Sequence, residues 1–375
     1  MAQSDEQLKW SSYDFTKIPY DDIVQVGQRT LLYRDLFTVS WLLGRFCNYK
    51  CSYCWPYARS DRKDHRPTEL CLKTIDEIKR QARGNGFNSF HFSLSGGEPT
   101  FHPGYLTILK HLADDVVNTN YTSIHMTSNC SRNMKWFEDY VEKAKPFHRA
   151  SITASLHTEH LNTREKMQDF ADKLILCQEH DVQITINMVM VPEWFERDWD
   201  NALFFHEQGI NVTLKPQSDP TASRVVDGYT DEMLQRLWNG MPQMAYTESK
   251  RKWAARPRPS FELPPYAIGN NDKSVPWHMQ VEFTDSKGKK WYMDQAERFN
   301  AFNFNKFKGW SCQAGYSGII IREPDGSIKR SYSCHDVPLG NIETGFKLFD
   351  GPRPCITESC VSSADSKIPK RKETI

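Results

Sequence analysis

Between Leu36 and Gln217, short apolar runs alternate six times with longer amphipathic stretches, and this rhythm restricts the chain more than any other feature. A short apolar run followed by a period-3.6 stretch reads as a βα unit, and repeated units build a parallel sheet joined by helical crossovers. Strands are expected at Phe37–Leu43, Phe90–Ser95, Ser123–Thr127, Ala150–Leu156, Gln183–Val191 and Asn211–Lys215. Helices are expected near Glu69–Arg83, Tyr105–Asp114, Trp136–Ala144, Arg164–His180 and Asp198–Gln208, each where a right-handed crossover requires one. The expected class is α/β, an open or partial (β/α)6 barrel. In such folds the loops at the carboxyl ends of the strands build the functional site.

The chain has 375 residues, more than one hydrophobic core usually serves, so an appended module is expected beside the repeat. Four segments follow from the pattern: an extension at 1–35, the repeat at 36–220, a connector with a hairpin at 221–300, and a cysteine-rich α+β region at 301–375. With 48 basic and 47 acidic residues the formal charge is +1, which gives no long-range field to gather nucleic acid or anionic lipid. No signal peptide opens the chain and no apolar run is long enough to span a bilayer, so a cytoplasmic protein is expected. Ten cysteines in that compartment point to metal ligands and a few buried thiols rather than disulfides.

Three of these cysteines fall in Cys47-Asn-Tyr-Lys-Cys51-Ser-Tyr-Cys54, in the loop after the first expected strand of the repeat. Three thiolates at this spacing suit three corners of a [4Fe–4S] cube and leave the fourth iron to another ligand. Structural zinc, the other metal reading, prefers paired C-x-x-C knuckles with a fourth ligand close by. One βα unit later stands Ser95-Gly96-Gly97-Glu98-Pro99, where two glycines allow close approach to a ligand and a carboxylate can accept bonds from an ammonium group.

Together, Cys-x-x-x-Cys-x-x-Cys at 47, 51 and 54 and Gly-Gly-Glu-Pro at 96 to 99 resemble the radical S-adenosylmethionine superfamily. The resemblance implies that S-adenosylmethionine chelates the open iron and is cleaved reductively to a 5′-deoxyadenosyl radical, which takes a hydrogen atom from a small-molecule or peptide substrate. It implies an electron donor of flavodoxin or ferredoxin type. Carried over by position, Glu98 and the Gly96–Gly97 backbone hold the methionyl amino group, and Ser128 or Asn129 meets the ribose or the carboxylate. Ser155 matches a serine that ends the fourth strand in the family, Tyr53 packs against adenine, and Val189 either offers backbone contacts to adenine or is plain core. Arg164 either neutralises the cofactor carboxylate or is a surface arginine paired with Glu165.

Four further cysteines, Cys312, Cys334, Cys355 and Cys360, resemble the ligands of a twitch domain, the shortened relative of the SPASM module, and imply a second, fully ligated [4Fe–4S] cluster. Zinc is the alternative occupant. A cyclase of the molybdenum-cofactor type, whose second cluster uses three cysteines, and an iron–sulfur or zinc scaffold without catalytic activity are the competing readings of the whole chain. Cys71, Cys130 and Cys177 read as buried thiols. Lys215, Gln217 and Asp219 either face a polar substrate or are solvated loop residues, while Trp277, Trp291, Tyr292 and Trp310 either line a cavity or pack between elements.

Overall fold

The computed structural model describes residues 14–28, 35–55, 58–63, 65–220, 225–240, 279, 281–293, 296, 299, 302–334 and 338–373. Much of the expected connector, Trp277 included, lies outside the described residues. The chain forms two compact units, one of Met1–Val39, Asp76–Phe90 and Glu262–Ile375, the other of Ser40–Ile75 and His91–Phe261.

The first strand, β1 (Ile23–Gln28), belongs to the first unit. The βα repeat follows as β2 (Leu36–Leu42), α1 (Thr68–Gly84), β3 (Ser89–Ser95), α2 (Tyr105–Asp114), β4 (Tyr121–Ser128), α3 (Met134–Ala144), β5 (Arg149–Leu156), α4 (Arg164–Glu179), β6 (Val182–Met190), α5 (Phe195–Glu207) and β7 (Val212–Pro216). Strands β2 and β3 begin in the first unit and end in the second. The strands stand in chain order, and β4 to β7 pair in parallel. Polar side chains start the helices where the backbone needs them: Asn133 caps Trp136 N–H at α3, and Thr163 caps Lys166 N–H at α4.

Strand β6 shows why the sheet is stable and open at once. Val182, Ile184, Ile186, Met188 and Met190 are buried, whereas Gln183, Thr185, Asn187 and Val189 between them are only half-buried. Helices α4 and α5 pack on this strand, and their buried Phe170, Leu174, Ala202 and Phe205 supply the apolar cover. A parallel sheet covered on both faces reads as continuous apolar sequence; here every second position is polar, so one face is left to water or ligand. The register carries that polar face across strands: Thr127 stands beside Thr153 and then Thr185, Ser155 beside Asn187 and then Thr213, and Val189 beside Lys215. Its lower tier is tied together by His91 to Ser123 (2.7 Å), His125 to Ser151 (2.8 Å) and Arg149 to Gln183 (2.9 Å).

In the first unit, β1 pairs antiparallel with β8 (Val281–Asp285) and with β16 (Lys370–Arg371), in a sheet that also holds β9 (Lys290–Met293), β10 (Ser311–Cys312) and β15 (Arg353–Pro354). Residues 23–28, expected as part of a separate extension, are therefore a strand of the sheet built by the C-terminal third of the chain. The expected second hairpin forms as β11 (Gly318–Ile321) and β12 (Ser327–Lys329), followed by β13 (Pro338–Asn341) and β14 (Gly345–Phe346). Trp291 and Trp310 pack against this unit's core around Phe283, Phe299 and Phe307, and Tyr292 packs with Met279. Packing, not a cavity wall, accounts for these rings.

Phe170 is 1 % exposed and meets Phe205 edge to face at 5.6 Å, so Phe170→Ala is expected to lower unfolding free energy by about 3–5 kcal/mol in denaturant titration, with Val117→Ala, at an 88 % exposed site, near zero. Burial, helped by the nearby Arg149 charge, lowers the pKa of His125 to about 4 from the ordinary 6.5. The unfolded chain then binds more protons than the folded one between these values. Stability is expected to be complete above pH 6.5 and to fall as the pH drops toward 4, a slope that His125→Gln reduces.

Candidate active site

The cysteine loop is docked on the Gly-Gly-Glu-Pro loop by backbone hydrogen bonds, Gly97 N–H to Gly44 carbonyl at 2.9 Å and Glu98 N–H to Phe46 carbonyl at 2.6 Å. The two chains pass so closely that a Cβ on Gly96 would lie 2.2 Å from the Gly44 oxygen, and one on Gly97 would lie 2.3 Å from the Arg45 and Phe46 oxygens. Gly96 also has φ of +144°, which favours glycine. The glycines thus accommodate the backbone leading into Cys47.

Glu98 follows and is 1 % exposed. Its Oε1 accepts from Thr100 N–H (3.1 Å), Thr100 Oγ1 (2.7 Å) and Ser128 Oγ (2.8 Å), while Oε2 accepts from Asn129 N–H (2.6 Å). Burial raises its pKa and these four bonds oppose that rise. The carboxylate expected to hold an amino group is a clamp between the ends of β3 and β4. Pro99 opens the short 3-10 turn that Glu98 caps. Ser128 is equally committed, donating to Glu98 and accepting from Cys130 N–H at 2.9 Å. Asn129 turns to the cysteine loop instead, its Nδ2 donating to Asn48 Oδ1 at 3.0 Å and lying 3.8 Å from Cys47 Sγ.

The loop after β5 grips the other side of the cysteine segment, which sequence reasoning missed. Glu159 accepts from Ser52 N–H (3.0 Å) and Ser52 Oγ (2.5 Å), and His160 Nε2 accepts from Lys50 N–H (3.2 Å) while its ring stacks on Tyr49 at 4.1 Å. Tyr53 bonds through its hydroxyl to His157 Nδ1 at 2.8 Å and stacks on that ring, so its partner here is an imidazole. Burial lowers the His157 pKa to about 4, which keeps the ring neutral. The signal in the sequence was the run His157-Thr-Glu-His160, directly after a strand whose end was correctly placed.

Cys47, Cys51 and Cys54 are half-buried free thiols. Desolvation raises all three, and at Cys51, where the charges of Glu159, Cys47 and Cys54 add to it, the pKa reaches about 12. A donor set of sulfur alone suits an iron–sulfur centre, whose irons would hold these sulfurs as thiolates. Among the described residues no three Cys, His, Asp or Glu side chains stand close enough to share one ion, whereas a [4Fe–4S] cube takes each thiolate on a different iron.

Ser155 and Val189 lie half-buried on the polar face, one position before the ends of β5 and β6. Arg164 lies against Phe204, 4.2 Å from the ring centre, rather than paired with Glu165, and lines a cavity of about 360 Å³ with Arg197, Thr158 and Asn162. Cys71, Cys130 and Cys177 are buried, as expected.

The four C-terminal cysteines are also buried and come from separate elements: Cys312 from β10, Cys334 from the loop after β12, Cys355 and Cys360 from the segment after β15. Cys355 and Cys360 share a hydrogen bond that holds the Cys355 thiol low and raises that of Cys360, and the charges of Cys312 and Cys355 both raise Cys334.

The sulfur-donor loop stands at the carboxyl end of a strand of the βα sheet, the end where such folds build their functional sites. Residues 41–206, somewhat under half of the chain, match the model of the Radical SAM superfamily. Solved structures similar to this chain are "Native anSMEcpe with bound AdoMet" and "Native anSMEcpe with bound AdoMet and Kp18Cys peptide", each 15% identical with a TM-score of 0.48, over 83% of this chain and 79% of theirs. No curated protein matches the chain. No helix among the described residues is long and apolar enough to cross a membrane.

Glu98→Ala leaves the buried N–H groups of Thr100 and Asn129 unpaired and is expected to cost on the order of 3 kcal/mol. It should also lower the iron retained after reconstitution by about four atoms per chain. Unchanged stability and unchanged iron would show that Glu98 does not hold this site together.

Proposed function

We propose that the chain cleaves S-adenosylmethionine at a [4Fe–4S] cluster held by Cys47, Cys51 and Cys54 and abstracts hydrogen from a polar substrate lying along the open face of the sheet. The observation that carries this reading is the loop cluster at the strand ends, where the Glu98 clamp, the Gly96–Gly97 contact and the Glu159–His160 grip fix three sulfur donors and supply no fourth. When bound, the cluster supplies the electron that breaks the carbon–sulfur bond, received from a flavodoxin- or ferredoxin-type donor.

The chain's own residues bind and orient. Tyr53 and the neutral His157 form a planar pair beside the cysteine loop, suited to an adenine ring. In the cavity they share, Arg164 offers its guanidinium to a carboxylate, while Arg197 is paired with Asp198 at 3.0 Å. On the polar face, the side chains of Thr153, Ser155 and Asn187 make no hydrogen bond among the described residues, which leaves them to a ligand. From β4 to β7 this face bears Arg149 and Lys215 and no carboxylate, so it favours a neutral or anionic hydrogen-bonding substrate, small molecule or peptide, over an apolar or cationic one.

The second cluster, at Cys312, Cys334, Cys355 and Cys360, takes all four thiolates and leaves no iron open to substrate. Anaerobic reconstitution should give about eight irons per chain and 5′-deoxyadenosine on reduction with S-adenosylmethionine. Cys51→Ala should abolish the cleavage and keep about four irons, whereas bound zinc with no cleavage in the wild type would refute the proposal.

A further inference from the structure

Two cations are buried in the first unit without a carboxylate partner. Lys370 and Arg330 are each 3 % exposed, and neither makes an ion pair among the described residues. Lys370 Nζ donates only to carbonyl oxygens, those of Asp365 (2.6 Å), Ile368 (2.9 Å) and Ser366 (3.3 Å), and lies 4.9 Å from the centre of the Phe307 ring. Arg330 likewise donates to the carbonyls of Ala314 (3.1 Å), Pro354 (3.3 Å) and Arg353 (3.5 Å). The nearby Asp365 carboxylate is taken by backbone N–H groups, Tyr332 at 3.3 Å and Ser333 at 2.5 Å. Lys173, buried in the second unit, shows the ordinary arrangement, an ion pair with Asp169 at 2.5 Å.

A buried charge that lacks a counter-charge costs several kcal/mol, and carbonyl dipoles offset only part of that. The missing negative charge has one evident source. Lys370 stands directly opposite Cys312 in the β10–β16 ladder, and the carbonyls gripped by Arg330 flank Cys312 and Cys355. Lys370 Nζ also donates to the Ser366 carbonyl, and the Ser366 hydroxyl in turn donates to the carbonyl of Cys360, so both cations are bonded into the backbone around these cysteines.

We propose that Lys370 and Arg330 are the charge partners of an anionic four-thiolate iron–sulfur centre at Cys312, Cys334, Cys355 and Cys360, and that they raise its reduction potential. The inference rests on the second-cluster reading above. A [4Fe–4S]2+ cube with four thiolates carries two negative charges, and a one-electron reduction adds a third without making or breaking a bond. Fixed positive charge in a poorly screened interior stabilises the more negative state. Lys370 and Arg330 are positioning residues in this scheme, setting the ease of reduction without touching substrate.

The test is a potentiometric titration of the anaerobically reconstituted full chain, with dithionite as reductant and electron paramagnetic resonance as readout, for wild type, Lys370→Met and Lys370→Arg. In Lys370→Met one cluster should become at least tenfold harder to reduce at a fixed potential, a shift of about 59 mV to more negative values for a one-electron couple. The other cluster, assigned by its loss in Cys51→Ala, should not move, and Lys370→Arg should keep the wild-type midpoint. An unmoved or raised midpoint in Lys370→Met, with about eight irons present, overturns the tuning and leaves the second cluster standing. Zinc in the C-terminal site with about four irons per chain overturns both.

Discussion

A single buried carboxylate holds the candidate active site together. Glu98 accepts hydrogen bonds from its own loop through Thr100 and from the end of β4 through Ser128 and Asn129, so the termini of two strands become one rigid platform. The backbone that enters the cysteine loop lies on this platform with no room for a side chain at Gly96 or Gly97. Asn129 passes the connection on to Asn48 and the neighbourhood of Cys47. Sulfur donors in a loop would otherwise repel one another apart; here the platform on one side and Glu159 and His160 on the other fix the segment before any metal arrives.

The sheet divides its labour by face. Alternation along β4, β5 and β6 sends branched and sulfur-containing side chains under the helices and leaves hydroxyls, amides and imidazoles on the other face. Stability comes from the first face, the second is the one proposed for recognition, and the two meet at the strand ends where the thiols sit. The first unit follows a different rule: its four cysteines are buried, and so are Lys370 and Arg330. An exposed sulfur loop suits a centre that must reach a small molecule, and an enclosed one suits a centre that only exchanges electrons.

Most of the repeat was legible in the sequence because period-two and period-3.6 patterns report directly on local geometry. The expected helix Tyr105–Asp114 has its observed bounds, and the strands shift by no more than two residues. The cysteine loop and its neighbour at Gly96–Pro99 were legible for a chemical reason, since few spacings serve a cube of irons. The partners of that second loop were not legible: nothing in the spacing announces that the Glu98 carboxylate accepts from the hydroxyls of Thr100 and Ser128. The role of residues 23–28 was hidden because an antiparallel partner more than 250 positions away leaves no local trace. The same holds for Lys370, which is buried opposite Cys312 although basic residues surround it in the sequence.

The central claim is that the cluster at Cys47, Cys51 and Cys54 has an iron open to S-adenosylmethionine. The electron paramagnetic resonance spectrum of the reduced, iron-loaded protein, recorded before and after S-adenosylmethionine is added, tests this most directly. One of two overlapping signals should change on addition, and that change should vanish in Cys51→Ala while the remaining signal persists. A reduced spectrum indifferent to S-adenosylmethionine would contradict the claim.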